Sequence, residues 1–393
     1  MLNHKTFHIL RYIFYVTYIM KSNPFLITGY ISPNYFCDRE KETESIFDAI
    51  RNNRDITVFS PRRIGKTGLI KHVFHTGKHK NLFIPVYTDI LATSSLKEFT
   101  EYFGRSVLTT LAKNESAIKK ILRNLASVRP KISLDPITGE PSVSMTVSNE
   151  REAEDSLDTV FRYLREQKNH FIIAIDEFQA VAAYPEKNTE ALLRTHIQQT
   201  TNTNLIFSGS RKHILTGIFS TPDRPFFNST QLMEIGKIDA DNYKQFILER
   251  FEMSELKINP SAVDLILEIT DVHTFYVQYL CNRLFGEHEK VDSAKVNRML
   301  LTIITENEAV YANYINLLTP LQFRILRAIA LNGGVQNPTS SDFISTYDLG
   351  AASSVSLAVK SLIDKEFIAL IDKKYTLNDL FFYWWLRYKG GSV

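Results

Sequence analysis

The sequence predicts an α/β protein: a mainly parallel sheet with helices on both faces, followed by a helical stretch and a helix-and-wing module. Three observations predict it. Strand-like and helix-like runs alternate from residue 36 to residue 236. One of them, "HFIIAIDEFQ" (170–179), is a continuous apolar run ending in two acids, as in a strand covered on both faces. Beyond residue 239 the apolar residues fall at helical spacing, until "FIALIDKKYTLND" breaks it with a pair of short β-type runs.

Residues 36–52, "FCDREKETESIFDAIRN", place Ile46, Ala49 and Ile50 at helical spacing behind an acidic first turn. "DITVFS" (55–60) is a short β-type run, and "GKTGLIKHVFH" brings Leu69, Val73 and Phe74 to one helical face. "NLFIPVYTDI" (81–90) is a second strand, with a helix expected over about 95–124. Residues 129–147 alternate polar and apolar side chains on both sides of a Pro- and Gly-containing turn, which predicts an inserted β-hairpin. A helix over 154–167 leads into the apolar run, and "TNLIFSGSR" (203–211) and "TQLMEIG" (230–236) complete the strands. Residues 239–290 read as a helical lid. Thr319 and Pro320 then supply a helix cap and first position. Val355, Ala358, Leu362 and Ile363 share one helical face, and the two-stranded wing that follows predicts a winged helix. The expected organisation is a lead-in over 1–35, an α/β core over 36–238, lid and connector over 239–314, and a winged-helix domain over 315–393.

A chain of 393 residues has room for two or three domains, each with its own core. With 46 basic against 43 acidic residues, the net charge of +3 gives no global field for nucleic acid or membrane, so any polyanion site must be local. Cys37 and Cys281 form no metal spacing, which suits a reducing, cytoplasmic location. The aromatic-rich first nineteen residues are interrupted by Arg11 and lack a small-residue cleavage site. They read equally as an extension before a native start at Met20 or as a short packing segment, and no stable membrane insertion is expected.

The chemistry begins at "VFSPRRIGKTGLI" (58–70), which joins a strand to a helix. A phosphate loop must aim backbone N–H groups and a helix N-terminus at one anion, with a lysine near the β/γ-phosphates and a hydroxyl on Mg²⁺. Gly65, Lys66 and Thr67 match those roles, followed by Gly68. Ser60 stands where the usual pattern has its first glycine, and Pro61, Arg62, Arg63 and Ile64 complete the loop. A Gly-Lys-Thr in a solvated basic turn means little alone. The second motif strengthens it: Asp176 at a strand end suits an Mg²⁺-associated carboxylate, and Glu177 a group that polarises the attacking water. The competing reading is an Asp-Glu pair capping the next helix. In "IFSGSR", Ser208 and Ser210 are candidates to orient that water and Arg211 to meet the γ-phosphate, against a plain helix cap and a solvated arginine. Arg224 is a weaker candidate for an arginine finger than for a surface charge. His72, His75 and His79 lack an acidic or cysteine partner and read as solvated histidines, and the block Phe381, Phe382, Trp384, Trp385 as core.

"FCDREKE", "SPRRIGKT", "IAIDEFQ", "FSGSRKHIL", "HTFYVQYL" and "YTLNDLFFYWWLRY" together resemble the archaeal-type P-loop ATPases of the STAND and ORC/Cdc6-related, AAA+-like branch, as a bacterial-type member. The resemblance spans about residues 36–387. It implies a P-loop NTPase core with a five-stranded parallel sheet, a helical lid and a C-terminal winged helix, with ATP and Mg²⁺ as cofactors and slow hydrolysis driving a conformational switch. Carried onto this chain, it assigns the phosphate lysine to Lys66, the metal hydroxyl to Thr67, the acidic pair to Asp176 and Glu177, and the first-sensor position to 208–211. The chain departs at Ser60 and in the lid, where the family's Gly-His-Pro becomes Val272-His273-Thr274. The second departure bears on how the lid senses nucleotide. A DNA-binding regulator is the alternative, but the candidate recognition helix offers Ser353, Ser354, Ser356 and Lys360, and the wing only Lys373 and Lys374. DNA, a protein docked on the winged helix and nucleotide-dependent self-assembly are the partners this leaves open, besides ATP and ADP.

Overall fold

A computed structural model describes residues 23–112, 131–134, 141–371 and 373–389. The expected leader, the helical reading beyond residue 112 and the turn of the ribbon at 135–140 lie outside the described residues. The chain divides into two compact units, one of Leu26–Tyr243 with His273–Phe275, the other of the remaining residues.

In the first unit, α1 (Glu40–Arg51) leads to β1 (Ile56–Phe59), α2 (Lys66–His79), β2 (Ile84–Asp89) and α3 (Leu96–Leu111). Helix α1 begins four residues later than its pattern suggests, because Asp38 and Arg39 both take positive φ. Arg39 is buried there, donating to the Gly236 carbonyl at 2.6 Å and to Glu42. Strands β3 (Lys131–Leu134) and β4 (Pro141–Ser144) pair antiparallel. They are followed by α4 (Glu150–Arg165), β5 (Phe171–Asp176), a 3₁₀ turn (Phe178–Ala183), α5 (Thr189–Gln199), β6 (Thr203–Gly209), α6 (Lys212–Ser220) and β7 (Gln231–Glu234).

Five strands form one sheet in the order β2-β5-β6-β1-β7, every neighbouring pair parallel. Side chains on β5 alternate between two cores, as a strand's period of two requires. Phe171, Ile173 and Ile175 join Phe99, Phe103, Phe161 and Phe207 on one face. Ile172 and Ala174 join Val58, Leu69, Ile70 and Val73 on the other. Each of the larger side chains contributes about 1.5–3 kcal/mol on burial, so the sheet is held between helices and its carboxyl edge is fixed. β1 sits between β6 and β7, away from its sequence neighbour β2, which places the chain reversal of this α/β sheet at the end of β1.

Helix α7 (Ala240–Met253) spans the division of the chain. The second unit continues with α8 (Pro260–Ile269), α9 (Thr274–Gly286, from Tyr276 onward), α10 (Ser293–Glu306) and α11 (Glu308–Asn316). Then come α12 (Pro320–Leu331), α13 (Ser341–Thr346), α14 (Ala352–Asp364), strands β8 (Ile368–Ile371) and β9 (Lys374–Leu377), and α15 (Leu380–Lys389). Thr319 and Gln322 close a reciprocal capping box at the start of α12, with Pro320 in the first turn. Strands β8 and β9 pair antiparallel as the wing. The aromatic block is core: Phe381, Phe382 and Trp385 are buried, and the Trp384 indole donates to the Ile269 carbonyl at 2.9 Å. Among the described residues, no helix is long and apolar enough to cross a membrane.

Candidate functional site

The loop from β1 to α2 turns sharply, and two residues take left-handed backbone: Arg63 at φ +62° and Gly65 at φ +108°. Glycine is suited to the second, which carries the chain into the first turn of α2. Ser60 is fully buried and its hydroxyl donates to the Pro61 carbonyl at 2.8 Å, so the residue that departs from the usual glycine is tied inside the loop. Ile64 anchors the loop in the core, while Pro61, Arg62 and Arg63 are exposed. Lys66 and Thr67 open α2, where the first backbone N–H groups have no intrahelical acceptor. Gly68 lies against the Phe36 ring, where a Cβ would make an ordinary contact at 3.5 Å.

Asp176 closes β5 with 2% exposure, and four donors converge on it. Ser208 reaches Oδ1 at 2.6 Å and the Glu177 N–H reaches it at 3.0 Å. Thr67 reaches Oδ2 at 2.9 Å and Tyr87 reaches it at 2.6 Å. Burial alone would raise this carboxyl, but the hydroxyls of Ser208, Tyr87 and Thr67, with the charge of Lys66, outweigh it and hold Asp176 below its ordinary value. The Tyr87 phenol is pushed upward by burial and by that neighbouring carboxylate, so it stays a donor.

Glu177 takes left-handed backbone, φ +58°, which turns its side chain back toward the loop. Its Oε1 lies 3.8 Å from the Lys66 ammonium, itself only 6% exposed. Its Oε2 accepts from the Ser210 hydroxyl at 3.0 Å and from the Gln179 amide. Six of the sequence-predicted residues, Lys66, Thr67, Asp176, Glu177, Ser208 and Ser210, are therefore one contiguous network. Arg211 is exposed at the N-cap position of α6. Tyr87 and Gln179 were missed by sequence reasoning, although Gln179 sits in the quoted "IAIDEFQ".

The weaker reading of Arg224 finds no support, and the reading of His72 changes. Arg224 is not a free finger, since its guanidinium makes a two-pronged pair with Glu190 on α5. His72 is not solvated: it is half-buried, stacked on Phe36 with centroids 4.4 Å apart, and bonded through Nδ1 to the Tyr30 hydroxyl at 3.0 Å. No cluster of metal-ligating side chains occurs among the described residues.

Residues His273–Phe275 belong to the same compact unit as the loop. The His273 Nε2 meets the Arg62 carbonyl at 3.1 Å and the Thr274 hydroxyl donates to the Ile64 carbonyl at 2.9 Å. The Arg63 guanidinium lies 4.5 Å over the Phe275 ring. Thr274, flagged in sequence as a lost proline, thus supplies a donor to the phosphate loop that proline lacks.

Residues 36–215 match the family model described as an ATPase domain predominantly from Archaea, and residues 309–388 match a probable winged helix domain. Among solved structures, the chain is similar to the Walker-type ATPase of Pyrococcus abyssi, with 17% identity and a TM-score of 0.62, covering 93% of this chain and 99% of that one. It is also similar to the ORC2 protein of Aeropyrum pernix in ADPNP–ADP complexes, with 14% identity and a TM-score of 0.56, covering 95% and 99%. No curated protein matches it in sequence. The chain thus has the α/β fold of a P-loop NTPase, with a five-stranded parallel sheet and a C-terminal winged helix, and its residues 36–215 are similar to archaeal-type ATPase domains.

Proposed function

We propose that this protein binds ATP with Mg²⁺ and hydrolyses it slowly, as a nucleotide-driven conformational switch. The observation that carries the reading is the network in which Thr67 and Asp176 share a hydrogen bond while Glu177 faces Lys66. A hydroxyl and a buried, ionised carboxylate held 2.9 Å apart are hard oxygen donors, which fit Mg²⁺. When bound, the metal neutralises charge on the phosphate oxygens. Lys66, now opposite Glu177, is the cation that the phosphates would draw across. Backbone N–H groups of the loop and the first turn of α2 receive the remaining phosphate oxygens. Glu177 Oε1, which faces Lys66, would then suit the polarisation of water. Ser208 keeps Asp176 in place, and Ser210 keeps Glu177 in place. Loss of the γ-phosphate would release contacts made by Lys66 and Arg211, which is the step a switch needs.

The experiment is ATP turnover and equilibrium binding by the purified chain and by Lys66→Ala, each titrated with Mg²⁺. Metal-dependent turnover that disappears with binding in Lys66→Ala supports the reading. Full turnover in that variant contradicts it.

An ATP-regulated DNA-binding protein is the second reading. The exposed face of α14 carries Ser353, Ser354, Ser356 and Leu357, with Lys360 beside Asp364, and the wing exposes Leu370 beside Lys373 and Lys374. Leu357 is 72% and Leu370 57% exposed, an apolar character poorly suited to a phosphate backbone. Turnover measured with and without duplex DNA, alongside mass in ADP and in a non-hydrolysable ATP analogue, separates a DNA partner from a switch that acts through self-assembly.

A further inference from the structure

Gln179 is the buried polar side chain at this site that neither the phosphate loop nor the acidic pair accounts for. It is 7% exposed, two residues beyond Glu177 in the 3₁₀ turn. Its Nε2 donates to Glu177 Oε2, the oxygen that also receives the Ser210 hydroxyl. The other oxygen, Oε1, is the one turned to Lys66. The last torsion of a glutamate is broad, so an unrestrained carboxylate presents either oxygen at many angles. Two donors on Oε2 remove that freedom. Gln179 is itself seated: its Oε1 packs on Gly209, where any Cβ would collide with it. That Oε1 is buried and accepts no hydrogen bond among the described residues. The protein therefore leaves one end of the amide unpaired in order to hold the other end on Glu177, and keeps Gly209 bare to allow it.

We propose that Gln179 is a positioning residue for hydrolysis: it holds Glu177 Oε2 so that Oε1 alone is presented to the attacking water, and Gly209 is its seat. The proposal rests on the ATPase reading above. It differs from it in predicting a defect in turnover without a defect in binding.

The test uses the full chain with Gln179→Met, which keeps volume but removes the donor, together with Gly209→Ala and the double variant. Turnover, KM, affinity for a fluorescent ATP analogue and melting temperature are measured for each. Gln179→Met should lower kcat by about 10- to 100-fold, the scale of a small misplacement of a reacting group, with KM and affinity unchanged and the melting temperature lowered by no more than the loss of one hydrogen bond explains. Gly209→Ala should lower kcat likewise, and the double variant should be about as slow as Gln179→Met, since no amide donor is left for the added Cβ to displace. An unchanged or raised kcat in Gln179→Met beside an active wild type overturns this proposal alone. So does a fall in kcat that tracks lost affinity or lost stability. If Gln179→Met does not fold, Gly209→Ala with unchanged kcat overturns it. Absence of turnover in the wild type, with ATP bound, overturns the hydrolytic reading and this proposal with it.

Discussion

The Thr67 hydroxyl donates to Asp176 Oδ2 across 2.9 Å, tying the first turn of α2 to the end of β5 from positions 109 residues apart in the chain. The bond brings the two segments that carry the site's chemistry into one object. It also makes Asp176 a meeting point of side chains from four elements, so perturbing this carboxylate is the way to test the arrangement.

Asp176 should make stability depend on pH. Its folded-state carboxyl is held below the ordinary value, so the unfolded chain takes up the proton first as pH falls. The stabilisation is present above the unfolded value of about 4 and is lost as pH falls through the folded value. Urea unfolding between neutral pH and pH 3 should show the gap between wild type and Asp176→Asn narrowing only at the acid end. A gap that is constant across the range contradicts the assignment.

Tyr87→Phe removes one donor from that carboxylate while keeping the ring. Hydrogen bonds to charged groups contribute about 1.5–3 kcal/mol, and the variant should lose an amount of that order in chemical denaturation. Thr67 and Ser208 still hold Asp176 there, so ATP should still bind.

Thr274→Val removes the hydroxyl that meets the Ile64 carbonyl without changing the shape of the side chain much. A neutral hydrogen bond is worth about 0.5–1.5 kcal/mol, which bounds the expected loss of ATP affinity at roughly tenfold. Calorimetric titration with a non-hydrolysable analogue checks this. Affinity equal to wild type would mean the bond does not shape the loop.

Arg224→Ala should leave turnover unchanged at every protein concentration, because its guanidinium is engaged by Glu190. Turnover that rises with concentration in the wild type and not in the variant would restore the arginine-finger reading.

What the sequence made legible was what short stretches carry whole. The loop at 58–70 needs its residues consecutive, and the acids at 176 and 177 announce themselves by ending an apolar run, so both are visible without a fold. Strand alternation similarly gave the sheet, because a buried parallel strand has few ways to look. Tyr87 and Gln179 were not legible, for they matter only through what the sheet order sets beside them. Tyr87 comes from β2, whose pairing with β5 puts it within reach of Asp176. Gln179 needs Gly209 at the end of β6 as its seat. His72 misled for the same reason, since Tyr30, which engages it, is 42 residues away in sequence; Glu190, which engages Arg224, is 34 away. Thr274 was noticed as a missing proline, whereas its contribution is the hydroxyl in its place.

Hydrolysis through Glu177 is tested most plainly by single-turnover measurement of bound ATP in Glu177→Gln, with binding measured in the same preparation. The amide keeps the size of the side chain and can still meet Ser210, but it has no charge to polarise water. ATP affinity should stay close to wild type and turnover should fall by about 10²–10⁴-fold, the usual worth of a general base. Turnover at the wild-type rate with ATP bound would contradict hydrolysis through Glu177.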